Sequence, residues 1–389
     1  MGKTIDYLHW RGDLSFSKDP FNDIDALILA LLSYLPFNDI VPGFESNKEI
    51  SLKDTAKQYF SKFSSTENMS LNINATASSS FNTQLEVLLK EAGSCPRFEG
   101  IRLSRYEENT DFVVARQFAA VTFNLHNSEH QKVIAFRGTD NSVVGWKEDF
   151  ELAYMKEIPA HESACKYLER TIGIFSSQFI VCGHSKGGNL ALYAGTHLSA
   201  ARQSRLAKII NFDGPGFDFS IVPKDPFLQH KNKIINYVPE ESMIGLLLDS
   251  IGKRTVVSSA ARFVFQHDAF NWKIERTKFV QGNLSNNAKL VEQTLKTWLT
   301  EISLSEREMF LEVLFEILGA SEGDAIKLNL HESLQEINKI LKKYSGLDKQ
   351  SKKILIQVFE SLSAEARKTL SETIKEKITT IKESVTIRA

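Results

Sequence analysis

Residues 179–195 read FIVCGHSKGGNLALYAG. The opening FIVC is an apolar, β-branched and aromatic run of strand type, and NLALYAG has the Ala/Leu content of a helix. Between them stands Gly183-His184-Ser185-Lys186-Gly187, a G-x-S-x-G. Five such residues recur by chance, but strand–turn–helix is the setting a nucleophile elbow requires. There the turn holds Ser185 in a strained backbone conformation and lifts its hydroxyl clear of the sheet. A Cβ at Gly183 or Gly187 would collide with the neighbouring strand or helix. The N-terminus of the following helix adds positive potential where an oxyanion would develop.

Outward from the elbow, helical and strand segments alternate. Residues 113–125 and 132–137 have strand composition, and the polar stretch 126–131 between them predicts an antiparallel hairpin. Residues 161–175 read as a helix, 179–183 as a strand and 187–198 as a helix. Further strands are expected at 208–212, 233–238 and 254–258. Short strands that are apolar throughout imply a mostly parallel sheet with helices on both faces, an α/β class. On the N-terminal side, Ile24–Leu35 is apolar on most faces and predicts a buried helix capped by Asn22 or Asp23. Residues 52–63 read as an amphipathic helix, 64–84 as a Ser-, Asn- and Thr-rich loop, and 84–92 as another helix. From about residue 284 the composition turns to Lys, Glu, Leu and Ser. There Ser305 opens a capping box with Glu308, and Phe310, Val313, Leu314 and Ile317 form one apolar stripe, as do Ile374, Ile378 and Ile381. The organisation expected is a domain over 1–283, with a helical segment of about 1–95 packed on it, and a helical extension over 284–389.

A serine is a poor nucleophile at neutral pH and needs a base, itself oriented by an acid. In an elbow-bearing α/β sheet the chain order is Ser, acid, His. Four histidines follow Ser185: His197, His230, His267 and His331. His197 falls on the helix leaving the elbow, His331 in the helical extension, and His230 in a Lys-flanked polar segment. His267 follows the strand-like run RFVFQ and is the candidate base. Asp213, which opens DGPGF after the strand 208–212, is the favoured acid. Glu240 and Glu241, in NYVPEES after the next strand, stay open as alternatives. For the oxyanion, one donor is expected at the Lys186 N–H and the other at Thr139 in AFRGTD, where Gly138 permits close approach.

Bulk properties narrow the classes. Of 389 residues, 42% are hydrophobic and 24% charged, as in ordinary globular proteins. A formal net charge of −1 supplies no field for nucleic acid or an anionic membrane. The 26 Phe residues suggest an aromatic core or an apolar pocket. Cys95, Cys165 and Cys182 are too few and too scattered for a disulfide framework or a zinc site, and Cys182 reads as a buried small hydrophobe. The N-terminus, MGKTIDYLHWRGDL, lacks the apolar core of a signal peptide, and 26–35 is too short to span a bilayer. A cytoplasmic protein without metal or cofactor is expected.

Two resemblances follow from these motifs. VIAFRGTDNSVVGWKEDF followed by VCGHSKGGNLA resembles the fungal-type, class three lipases. That resemblance implies Thr139 as the oxyanion residue and Trp146 and Asp149 as structural residues holding the loop. The chain is also similar to a bacterial family of uncharacterised α/β-hydrolases, a domain of unknown function. The shared segments are DYLHWRGDLSFSKDPFNDIDALILALLSYLPF, FRGTD, GHSKGGNLA, NFDGPGF, YVPEESMIGLLL and QHDAFNW, spanning roughly residues 4–275. Lys186 departs from the lipase pattern, which usually has an apolar residue there, and a charge beside the nucleophile argues against a purely apolar lipid substrate. The expectation is a serine hydrolase of the α/β-hydrolase fold acting on a small-molecule ester, thioester or lipid-like substrate. The alternative is a catalytically silent hydrolase-fold binding or regulatory protein whose helical extension docks a partner.

Overall fold

The computed structural model describes residues 2–63, 81–111, 116–125, 131–139, 151–173, 177–301, 303–305 and 307–308. Outside them lie residues 126–130 of the expected turn at 126–131, most of the Ser-rich loop, Trp146, Asp149, His331 and the apolar stripes beyond residue 309.

Among the described residues, eight strands form one sheet and lie side by side in chain order. They are β1 (Ile50–Ser51), β2 (Arg102–Asp111), β3 (Arg116–Asn124), β4 (Lys132–Phe136), β5 (Phe179–His184), β6 (Leu206–Phe212), β7 (Ile234–Pro239) and β8 (Lys253–Val257). β1 to β4 pair antiparallel, and β4 to β8 pair parallel, so the sheet is mostly parallel. The β3–β4 hairpin is the one expected. β2 was not anticipated, because RLSRYEENTD carries polar residues and a register shift between Ser104 and Glu107, with Arg105 at φ 56°. The run before His267 is no strand: Phe263–His267 is a 3-10 helix.

Four helices come early in the chain: α1 (Thr4–Arg11), α2 (Asp23–Leu32), α3 (Leu52–Phe63) and α4 (Phe81–Ser94). α5 (Pro159–Thr171) connects β4 to β5, α6 (Lys186–Thr196) and α7 (Ala200–Gln203) connect β5 to β6, and α8 (Asp225–His230) connects β6 to β7. Parallel strands laid down in one direction with right-handed crossovers put every crossover helix on the same face. The opposite face must be covered by something else, and α1–α4 cover it. The strand residues alternate accordingly. Val133, Ala135, Ile180, Cys182, Ile210 and Phe212 join the core beneath the early helices. Ile134, Phe136, Phe179, Val181 and Ile209 join the core beneath α5, α6 and α8. The abundant Phe residues fill both layers: Phe37, Phe98 and Phe123 on one side, Phe118, Phe136 and Phe227 on the other, all fully buried. Beyond β8, the small hairpin β9 (Ile274–Glu275) and β10 (Lys278–Phe279) packs near Tyr237, and α9 (Asn286–Glu301) is held to β8 by Arg254–Glu292.

α2 is buried from Ile24 through Leu32, as a helix apolar all round must be. Asn22 is its cap: the side chain accepts from the Ile24 and Asp25 N–H groups, and Asp25 accepts from the Asn22 N–H. Asp23 pairs instead with Lys208 and Tyr237 at the sheet. The helix stops three residues earlier than expected, and the turn that follows turns Tyr34 toward the elbow.

Arg97 organises this layer. Its Nε and Nη2 grip Asp25 at 2.8 and 2.6 Å, and its remaining N–H groups bond the Leu14, Asp19 and Pro20 carbonyls. All five guanidinium donors are satisfied, so the loop between α1 and α2 is wrapped around one buried cation. Arg97→Met should therefore cost about 3–5 kcal/mol in urea denaturation, because Asp25 loses its counter-charge. A loss below about 1 kcal/mol would show the pair is not a structural anchor.

On the crossover face, the His161 ring lies buried against Tyr193, with ring centres 4.1 Å apart. Its Nδ1 accepts from the Ile158 N–H, so the neutral ring donates from Nε2 to Asn189 Oδ1 at 2.7 Å. Burial, foremost, holds its pKa down to about 3. The unfolded chain takes up this proton near pH 6.5 and the native protein does not. The contribution is thus complete above pH 6.5 and is lost as pH falls toward 3, at up to about 1.4 kcal/mol per pH unit. Urea titrations at pH 7 and pH 5 should show a loss that includes this slope, and His161→Gln should reduce it by about 1.4 kcal/mol per pH unit. An unchanged slope in the variant would mean that His161 titrates normally.

Candidate active site

β5 ends at His184 and α6 begins at Lys186, so Ser185 alone makes the turn. Its φ of 57° and ψ of −133° are a strained conformation costing on the order of 1–3 kcal/mol, sustained by close packing. A Cβ on Gly183 would stand 2.2 Å from the Gly187 carbonyl, and one on Gly187 would stand 2.1 Å from the Phe136 oxygen. Only glycine at both positions lets β5, α6 and the end of β4 meet this closely. The Ser185 N–H bonds the Phe212 carbonyl at 2.9 Å, locking the elbow to the end of β6.

The next residue after Phe212 is Asp213, fully buried and itself in the left-handed region at φ 53°. Its Oδ2 lies 2.7 Å from His267 Nδ1, while Oδ1 accepts from the Ser242 hydroxyl and the Gly245 N–H. Burial pushes this carboxyl upward in pKa, and the His267, Ser242 and Gly245 donors pull against it. A carboxylate on Nδ1 fixes the tautomer of neutral His267, with the proton on Nδ1 and the lone pair on Nε2. Glu241 exchanges hydrogen bonds with Gln266, and Glu240 packs against Gly282. Of the three carboxylates weighed from the sequence, Asp213 is the one paired with His267.

Two of the other histidines weighed from the sequence lie elsewhere. His197 ends α6, stacked on Tyr193, and His230 ends α8 with Nδ1 on the Pro226 carbonyl.

His184 was passed over in the sequence as the variable residue of G-x-S-x-G. Its ring is buried with Nε2 2.8 Å from the His267 carbonyl and Nδ1 3.0 Å from the Tyr34 hydroxyl. Ser242, Gly245 and Tyr34 were also missed, since nothing local in the sequence marks a residue whose partner lies far along the chain.

The FRGT turn after β4 sits directly on the elbow. A Cβ on Gly138 would meet the Tyr34 hydroxyl at 1.9 Å and the His184 carbonyl at 2.6 Å, which brings half-buried Thr139 beside the turn. Lys186 corrects one expectation: its side chain does not flank the nucleophile. It is 1% exposed and runs inward to β3, where Nζ donates to the Gln117 carbonyl and side-chain oxygen. The opening turn of α6 packs on β4, so a side chain at its first position leaves toward β3 and away from the Ser185 hydroxyl. The charge therefore does not bear on whether the substrate is apolar. The Lys186 N–H lies in the first turn of the helix, directly after Ser185.

Among the described residues, no cluster of His, Cys, Asp and Glu has the makings of a metal site, and no helix is long and apolar enough to cross a membrane.

No curated protein matches the sequence. Five chains of solved structures match, among them the crystal structure of M37 lipase. It is 15% identical over 57% of this chain and 68% of its own, with a TM-score of 0.35. The family model described as Mbeg1-like matches residues 92–316. The match begins near the end of α4, beyond most of the early helices, and extends past α9. It takes in the FRGT turn, the elbow, Asp213 and His267. With more than half of its length so matched, the chain belongs to the Mbeg1-like family.

Proposed function

We propose that this protein is a serine hydrolase that cleaves a carboxylic ester or thioester through an acyl-enzyme. The observation that carries the reading is the buried Asp213 carboxylate on Nδ1 of His267, built onto the loops that border a left-handed Ser185. Phe212, bonded to the Ser185 N–H, immediately precedes Asp213, and His184, whose ring holds the His267 carbonyl, immediately precedes Ser185. A general base needs this orientation from its acid, and a serine needs that base.

In the first half-reaction Ser185 Oγ attacks the carbonyl carbon while His267 Nε2 takes the hydroxyl proton. Asp213 stabilises the resulting imidazolium, and the Lys186 and Thr139 N–H groups bind the oxyanion. Collapse expels the alcohol or thiol, which receives the proton from His267. Water then attacks the acyl-enzyme with the same base, releasing the carboxylic acid and restoring Ser185. Each oxyanion donor is worth roughly a hundred- to thousandfold in kcat.

Hydrolysis of p-nitrophenyl esters across a range of acyl lengths tests this. Ser185→Ala and His267→Ala should each lower kcat by roughly 10⁴- to 10⁶-fold. A wild type that turns over no ester faster than Ser185→Ala would favour the silent binding protein instead. Asp213→Asn should keep the fold yet lower kcat by about 10⁴-fold, because the amide favours the wrong tautomer of His267. Unchanged kcat in that variant, with loss in Glu240→Gln or Glu241→Gln, would move the acid to the β7 loop.

A further inference from the structure

The contacts of His184 select one of its two neutral tautomers. The His267 carbonyl accepts and never donates, so the proton 2.8 Å from it belongs to His184 Nε2. The neutral ring then carries its lone pair on Nδ1, which faces the Tyr34 hydroxyl at 3.0 Å. The same hydroxyl lies 3.2 Å from the His184 carbonyl, so its one proton is shared between the ring nitrogen and the backbone oxygen of the residue before Ser185. Tyr34 is itself held edge-on by Phe81, which in turn meets Phe270, three residues beyond His267. The contact joins the turn after α2, the elbow and the His267 segment, which lie 150 and 83 residues apart in sequence.

We propose that Tyr34 and His184 act as a positioning pair that sets His267 over Ser185 and stays uncharged while His267 takes the proton. The proposal rests on the serine hydrolase reading and adds two residues to its machinery. His184 touches no reacting atom in it; its effect passes through the His267 backbone.

Charge also distinguishes the two rings. The rings of His184 and His267 have centres 4.7 Å apart. When His267 becomes an imidazolium during the reaction, a second imidazolium at that distance would oppose it. Burial, and then the neighbouring His267, hold the His184 pKa down to about 3. Among the described residues, the charged or titratable groups at this pair are Tyr34 from the turn after α2, His267, and Asp213 bonded to His267 Nδ1. The carboxylate among them bonds the His267 ring. That arrangement favours a proton on His267 and not on His184.

Two substitutions separate positioning from bulk packing, because a Gln amide nitrogen occupies the place of Nε2 and an Asn amide that of Nδ1. His184→Gln keeps a donor toward the His267 carbonyl, whereas His184→Asn has none that reaches it. With p-nitrophenyl butyrate, His184→Asn should lower kcat about a hundredfold with KM little changed, the scale of a misplacement near 1 Å. His184→Gln should recover most of that loss, and Tyr34→Phe should fall between them. Equal kcat in the Gln and Asn variants would overturn the proposal. An independent readout holds even if no ester is hydrolysed. In ¹⁵N-histidine spectra of the wild type, His184 should remain a neutral Nε2–H tautomer from pH 8 to pH 5. A His184 signal that titrates in that range, or an Nδ1–H tautomer, would overturn the proposal whatever the fate of the hydrolase reading.

Discussion

At the elbow, Gly183, Gly187 and the carbonyl of Phe136 approach to distances that leave no room for a methyl group. This contact fixes where β4, β5 and α6 meet, and everything chemical in the molecule is measured from it. It forces Ser185 alone to absorb the change from strand to helix, at a cost of roughly 1–3 kcal/mol that the surrounding packing holds in place. It also brings the end of β4 against the turn, so Gly138 and Thr139 arrive without any dedicated scaffold. The Ser185 N–H then binds the end of β6, and the next residue along β6 is Asp213.

From that anchor the site is assembled by long-range polar contacts and not by local sequence. Asp213 is buried with three donors on its carboxylate, from His267, Ser242 and Gly245. A buried carboxylate so surrounded is held in one orientation, which is what an orienting acid requires. On the other side of His267, its carbonyl is held by His184, and His184 by Tyr34. The early helices therefore do more than cover an apolar sheet face. Through α2 they deliver Tyr34 to the elbow, and through Arg97 and Asp25 they stiffen the loop that leads into α2.

Much of this was legible in the sequence because its signals are local. Apolar runs bounded by turns marked β4 through β8, the hairpin before them and the elbow itself. The chain order of an elbow-bearing sheet singled out His267 and favoured Asp213, which lie 54 residues apart and are bonded in the structure. What escaped depended on tertiary context. β2 is polar because it lies beside the short β1 near the sheet edge, where the apolar pattern weakens. RFVFQ has strand composition, yet it closes as a 3-10 helix that presents His267. Lys186 read as a charge beside the nucleophile, but the direction of a helix's first side chain is set by what that helix packs on. His184 and Tyr34 carry no marker of their own, since the partner of each is distant in the chain.

The central claim, that Ser185 is an activated nucleophile, is tested most directly by reacting the full chain with a fluorophosphonate and mapping the adduct by peptide mass spectrometry. A single phosphonyl group on Ser185, absent from a folded His267→Ala variant, is the result this account predicts. A folded wild type that stays unmodified, or an adduct on any other residue, would contradict it.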